Sequence, residues 1–120
     1  MTSVIRAALA AFAVAASATV ALASASNTPT MYQVDPALKT ESMSELTARV
    51  RRACAVTQAK IQSADEASFG RKCDCYAGRT MRSLSTEEVQ TYRDTGVFDD
   101  GARTKALSAI DACKLQRPTI

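Results

Sequence analysis

The chain contains no histidine and no tryptophan. Without histidine it lacks the side chain that most often titrates near neutral pH as a general base, and the usual companion of cysteine in mixed zinc sites. Ser-His-Asp chemistry is thereby excluded, as is histidine ligation of haem. The 4 glycines form no phosphate-cradling loop. No apolar run after residue 25 is long enough to cross a bilayer. Aromatic residues make up only 5% of the chain. Beyond the N-terminal stretch these are Tyr32, Tyr76, Tyr92, Phe69 and Phe98. A core so short of large rings is marginal in a small domain, so covalent cross-links are expected to supplement it.

What is present begins with "MTSVIRAALAAFAVAASATVALASAS". It has one positive charge at Arg6, an uncharged run from Ala7 to Ala25, and small residues at alternating positions. The pattern is that of a secretory signal peptide over residues 1–23, with cleavage possible to 25. Removing Arg6 takes the 15 basic residues to 14 against 12 acidic ones, a net charge of +2 with the signs interspersed. That balance makes no electrostatic case for nucleic acid or an anionic membrane as partner. The organisation expected after the signal is an extended leader over 24–40, a helical disulfide-linked domain over 41–117 and a tail over 118–120.

The 4 cysteines, Cys54, Cys73, Cys75 and Cys113, all follow the signal segment. In an oxidising compartment an even set of this kind reads as disulfides. A metal site wants ligand pairs at Cys-x2-Cys spacing, which this chain lacks, so no metal or other cofactor is implied.

The helical reading rests on caps and periodicity. Ser42-Met43-Ser44-Glu45 is a capping box, and Leu46, Val50, Cys54, Thr57 and Ile61 recur behind it at helical spacing. Reversal at 62–65 sets Cys54 and Cys73 at matching heights on antiparallel helices. The second helix is then expected over 64–84, opened by Ser63 to Glu66 as a box, with Phe69, Cys73, Tyr76, Ala77, Thr80 and Leu84 inward and Gly70 tolerated inside. "LSTEEV" carries the clearest local signal: Ser85 and Glu88 form a box, while Leu84 and Val89 occupy staple positions. It predicts a short helix over 86–94, closed by Gly96, in which Ser85 matters more to stability than Glu88. A fourth helix over 100–115 places Ala102, Ala106, Ile110 and Cys113 inward, ahead of Pro118. No segment alternates at period two. The expected fold is all-α, a small bundle of about four helices stapled by two disulfides.

Residues two apart on a helix point about 200° from one another, so Cys73 and Cys75 serve two different neighbours. The hairpin midpoint selects Cys54 with Cys73 and leaves Cys75 for Cys113. The alternative, Cys54 with Cys75 and Cys73 with Cys113, has a midpoint only one residue later and stays open. The order Cys, Cys-x-Cys-Tyr, capped short helix, Cys behind a signal segment resembles that of small exported bacterial helical proteins with four cysteines. The resemblance spans roughly Ala53 to Cys113 and implies a periplasmic or secreted helical domain; it brings no activity with it.

Two further clusters complete the reading. Arg49, Arg51 and Arg52 on the first helix offer contact to an acidic partner, against the alternative of a solvated helix face. Glu87-Glu88 and Asp99-Asp100 stand at helix starts, where the macrodipole explains them without acid–base catalysis. The function expected is an exported non-enzymatic module that binds another protein. The rival is a thiol-redox or metal-handling envelope protein using Cys73 and Cys75, with Arg71, Lys72 and Arg79 near enough in sequence to favour a thiolate.

Overall fold

Ser42 and Ser85 each open a helix by the reciprocal bonding their sequences predict. The Ser42 hydroxyl accepts from the Glu45 N–H at 3.2 Å while the Glu45 carboxylate accepts from the Ser42 N–H at 2.6 Å. Ser85 and Glu88 repeat the arrangement at 3.1 and 3.0 Å. These caps satisfy donors that a helix start leaves orphaned. They begin α1 (Met43–Gln62) and α3 (Thr86–Thr95). The computed structural model describes residues 33–119, and the remaining helices are α2 (Gly70–Ser83) and α4 (Asp100–Ala112). Residues 1–23, expected to be a signal peptide, residues 24–32 of the expected leader, and Ile120 lie outside the described residues. Among the described residues there is no strand, and the fold is an all-α bundle of four helices.

The chain reverses within 62–65, but not through a second box. Ser63 closes α1 in the left-handed region, with φ of 49°, and the Ala64 N–H donates to the Ala59 carbonyl at 3.1 Å. A residue that ends one helix in this conformation is unavailable as the extended N-cap of the next. Glu66–Phe69 accordingly form a 3-10 turn, and α2 starts at Gly70 instead of Ala64. Gly70 thus stands at a helix junction and not in a helix interior. Gly96, with φ of 72°, ends α3 as expected.

The fourth helix is shorter than its pattern. It stops at Ala112 because Lys114 turns left-handed at φ of 57° and the Leu115 N–H returns to the Ile110 carbonyl at 3.0 Å. This closure folds the Leu115 side chain back into the core, where it is buried. On α1 the inward stripe also departs from expectation. Leu46, Val50 and Cys54 are buried, but Thr57 and Ile61 are exposed and Gln58 is buried instead, at 2% exposure. The Gln58 amide donates to the Gln116 carbonyl at 2.7 Å and accepts from the Gln116 N–H at 3.2 Å. A buried amide with both halves bonded removes the cost that would otherwise exclude it.

The leader also differs from an extended segment. Pro36–Lys39 form a 3-10 turn, capped by Asp35, whose carboxylate accepts from the Ala37 N–H at 2.9 Å. Leu38 projects into the core at 3% exposure. Arg93 of α3 donates to the Leu38 and Glu41 carbonyls at 2.8 and 2.6 Å, which fastens the turn across the bundle.

The central element is α2, which packs against both α1 and α4. Two apolar clusters result. One gathers Leu38, Leu46, Val50, Ala77, Met81 and Tyr92; the other gathers Cys54, Phe69, Cys73, Ile110, Cys113 and Leu115. Tyr76 packs against both. The staple residues Leu84 and Val89 lie on the first cluster, so the α2–α3 junction is part of the core.

Candidate functional site

The cysteines form two cross-links, Cys54–Cys73 and Cys75–Cys113, with Cα separations of 5.7 and 5.8 Å. No cysteine remains free. The antiparallel hairpin brings α1 to one side of α2 and the fold brings α4 to the other, so the opposed directions of Cys73 and Cys75 meet different partners. Cys73 is fully buried, whereas Cys75 is half-buried. Among the described residues no cluster of three or more His, Cys, Asp or Glu is arranged to hold a metal ion.

The three arginines of α1 do not form one free patch. Arg49 is bonded to Glu41 and also pairs with Asp35 at 3.1 Å. The pairing raises the Arg49 guanidinium further above its already high range, Glu41 contributing most. It holds the Glu41 carboxyl below the usual carboxylate range; the Asp35 carboxyl is lowered first by the Ala37 N–H and then by Arg49. Arg49 is therefore a strap between α1 and the 3-10 turn. Arg51 pairs with Asp74 across the α1–α2 hairpin at 3.3 Å. Arg52 alone of the three makes no ion pair among the described residues.

One member of each acidic pair is bonded within the fold. Glu88 closes its capping box and holds Lys105 of α4, and the neighbouring ammonium is the main reason its carboxyl lies below the ordinary range. The Asp99 carboxylate accepts from the Ala102 N–H at 2.8 Å and caps α4.

Where the two core clusters meet, a cavity of about 260 Å³ opens between Val50, Gln58, Tyr76, Tyr92, Phe98 and Ile110. The Tyr92 and Phe98 rings stand 5.0 Å apart at a tilt of 44°, within the separation at which aromatic pairs attract. Burial pushes the Tyr76 phenol up. Thr80 lies near enough to oppose that shift, although its fully buried hydroxyl makes no hydrogen bond of ordinary geometry among the described residues. The volume falls below the usual range for drug-sized ligands, and the polar amide of Gln58 already serves Gln116. This is a seam in the core more than a prepared site.

A second concavity lies between α2 and α4, lined by Arg79, Arg82, Lys105 and Ser108 and with a volume of about 630 Å³. Sequence reasoning did not single out Arg82. The available signal was the placement of Arg79 and Arg82 three apart, which puts them on one helix face.

Among the described residues no helix is long and apolar enough to cross a membrane. Compared with protein-family models, curated proteins and solved structures, the chain matches none of them.

Proposed function

We propose that the chain is an exported helical module, periplasmic or secreted, that acts by binding another protein. The observation that carries this reading is the use of all four cysteines in cross-links from α2 to α1 and α4. Such a scaffold belongs in an oxidising compartment, and a thiol-exchange couple would need cysteines beyond those it spends on holding the fold. The Ala-x-Ala pattern at residues 21–25 supports export. Each closed loop contributes roughly 3 to 4 kcal/mol in the chain-entropy account, comparable with the whole stability of a small domain. Surface is then presented at low ordering cost, which is what a small recognition module requires.

Intact-mass spectrometry of the protein exported by a bacterial host tests the first half of this reading. The expected product begins at Ser24 or Ser26, lacks all four thiol hydrogens and does not react with alkylating reagent. Retention of Arg6, or two reactive thiols, defeats it. The second half is tested by affinity capture from an envelope fraction with the tagged mature protein. A saturable partner rebinding the oxidised module when purified supports it; absence of any saturable partner counts against it.

A further inference from the structure

The groove between α2 and α4 carries positive charge that the rest of the fold leaves unneutralised. The Cys75–Cys113 bond joins the two helices at one end, and Arg79 and Arg82 then lie across from Lys105 and Ser108. Small side chains, Ala109 and Ala112, complete the lining from α4, and among the described residues no carboxylate contributes to it. Lys105 is held by Glu88. Arg79 and Arg82 make no ion pair among the described residues, in contrast to Arg49, Arg51 and Arg117. The excess on the groove is thus two guanidinium charges.

Ser83 and Thr104 spend their hydroxyl protons on the Thr80 and Asp100 carbonyls, at 2.7 and 3.0 Å. Ser108 makes no such bond among the described residues, which leaves its O–H as a donor beside the two arginines.

We propose that this groove binds the phosphoryl group of a small soluble phosphate ester. The guanidinium fork matches two phosphate oxygens at once. A phosphomonoester carries about −1.5 to −2 charge at neutral pH, which balances two unpaired arginines where a single carboxylate does not. A soluble ester is favoured over a lipid headgroup, because among the described residues the groove lining holds no exposed large apolar side chain to seat in a bilayer. The near-neutral total charge concealed this local excess. The proposal does not rest on the protein-binding reading.

The test is an NMR titration of the oxidised mature protein at physiological salt with phenyl phosphate, and separately with inorganic phosphate, hexaglutamate and phosphatidylglycerol vesicles. Phenyl phosphate should bind saturably and shift the amides around Arg79, Arg82 and Ser108. The double variant Arg79→Gln/Arg82→Gln should weaken binding about tenfold, while Arg71→Gln/Lys72→Gln, which removes the same charge outside the groove, should leave it within about twofold. Should the first double variant misfold by circular dichroism, Arg79→Gln alone should weaken binding about threefold. Equal loss in both double variants would mean unspecific charge attraction and overturn the proposal. So would tighter binding of hexaglutamate, binding to vesicles alone, or no saturable phenyl phosphate binding.

Discussion

One oxygen of Glu88 serves both the N-cap of its own helix and Lys105 on another: Oε1 accepts from the Ser85 N–H at 3.0 Å and from the Lys105 ammonium. The capping box that starts α3 is in this way a tertiary contact with α4. Its other oxygen, Oε2, is buried without a hydrogen-bond partner among the described residues. Removing the side chain therefore disturbs more than one local bond.

Ser85→Ala should cost about 1 kcal/mol, the ordinary loss for an N-cap. In a domain of this size that lowers the thermal midpoint by about 4 to 8 °C. Glu88→Ala should lower it further, the reverse of the order that capping alone implies, because Lys105 loses its partner too. The double variant should fall short of the sum of the two, since they share one motif. Calorimetry on the three proteins checks the order.

Acid should loosen the same network. Glu88, Glu41 and Asp35 all have carboxyls held below their ordinary range. Groups lowered on folding contribute stability above their unfolded values, and that contribution is withdrawn as pH falls through the folded values. Stability should hold at neutral pH and decline from about pH 4 downward. Urea midpoints measured at pH 7 and pH 3 test this, and Glu88→Gln should show a smaller difference between them.

Leu38→Ala should cost about 2 to 4 kcal/mol, as expected for a buried leucine. An extended leader would make the same change neutral. Denaturant unfolding separates the outcomes, and Arg93→Ala should destabilise in the same direction by releasing the Leu38 and Glu41 carbonyls.

Under mild reductant Cys75–Cys113 should open before Cys54–Cys73. Exchange requires access to a sulfur, and Cys75 is half-buried while Cys73 is fully enclosed. Differential alkylation followed by peptide mapping should label Cys75 and Cys113 first.

Ser63→Gly should stabilise by about 0.5 to 1 kcal/mol. A side chain in the left-handed conformation costs roughly this much or more, and glycine relieves it. A rise in thermal midpoint is the expected reading, offset in part by the greater freedom of glycine in the unfolded chain.

Features that depend on neighbours within a few positions were legible in the order of residues. Ser42 and Ser85 cap because their box partners are three residues away, and Gly96 ends α3 because its backbone alone takes the required turn without strain. The split duty of Cys73 and Cys75 follows from helical angle, and the favoured pairing from the reversal near Ser63. Which polar groups meet across distant segments was settled by the fold. Gln58 displaced Thr57 and Ile61 from the inner stripe because its amide found the Gln116 backbone 58 positions away. Arg93 found carbonyls 55 and 52 positions away, which fastened a leader expected to be extended onto the core. Arg49 became a strap because Asp35 and Glu41 folded onto it, while among the described residues no carboxylate pairs with Arg79 or Arg82. Charge and amide groups declare their type in a sequence, but whether they are satisfied depends on what the fold sets beside them.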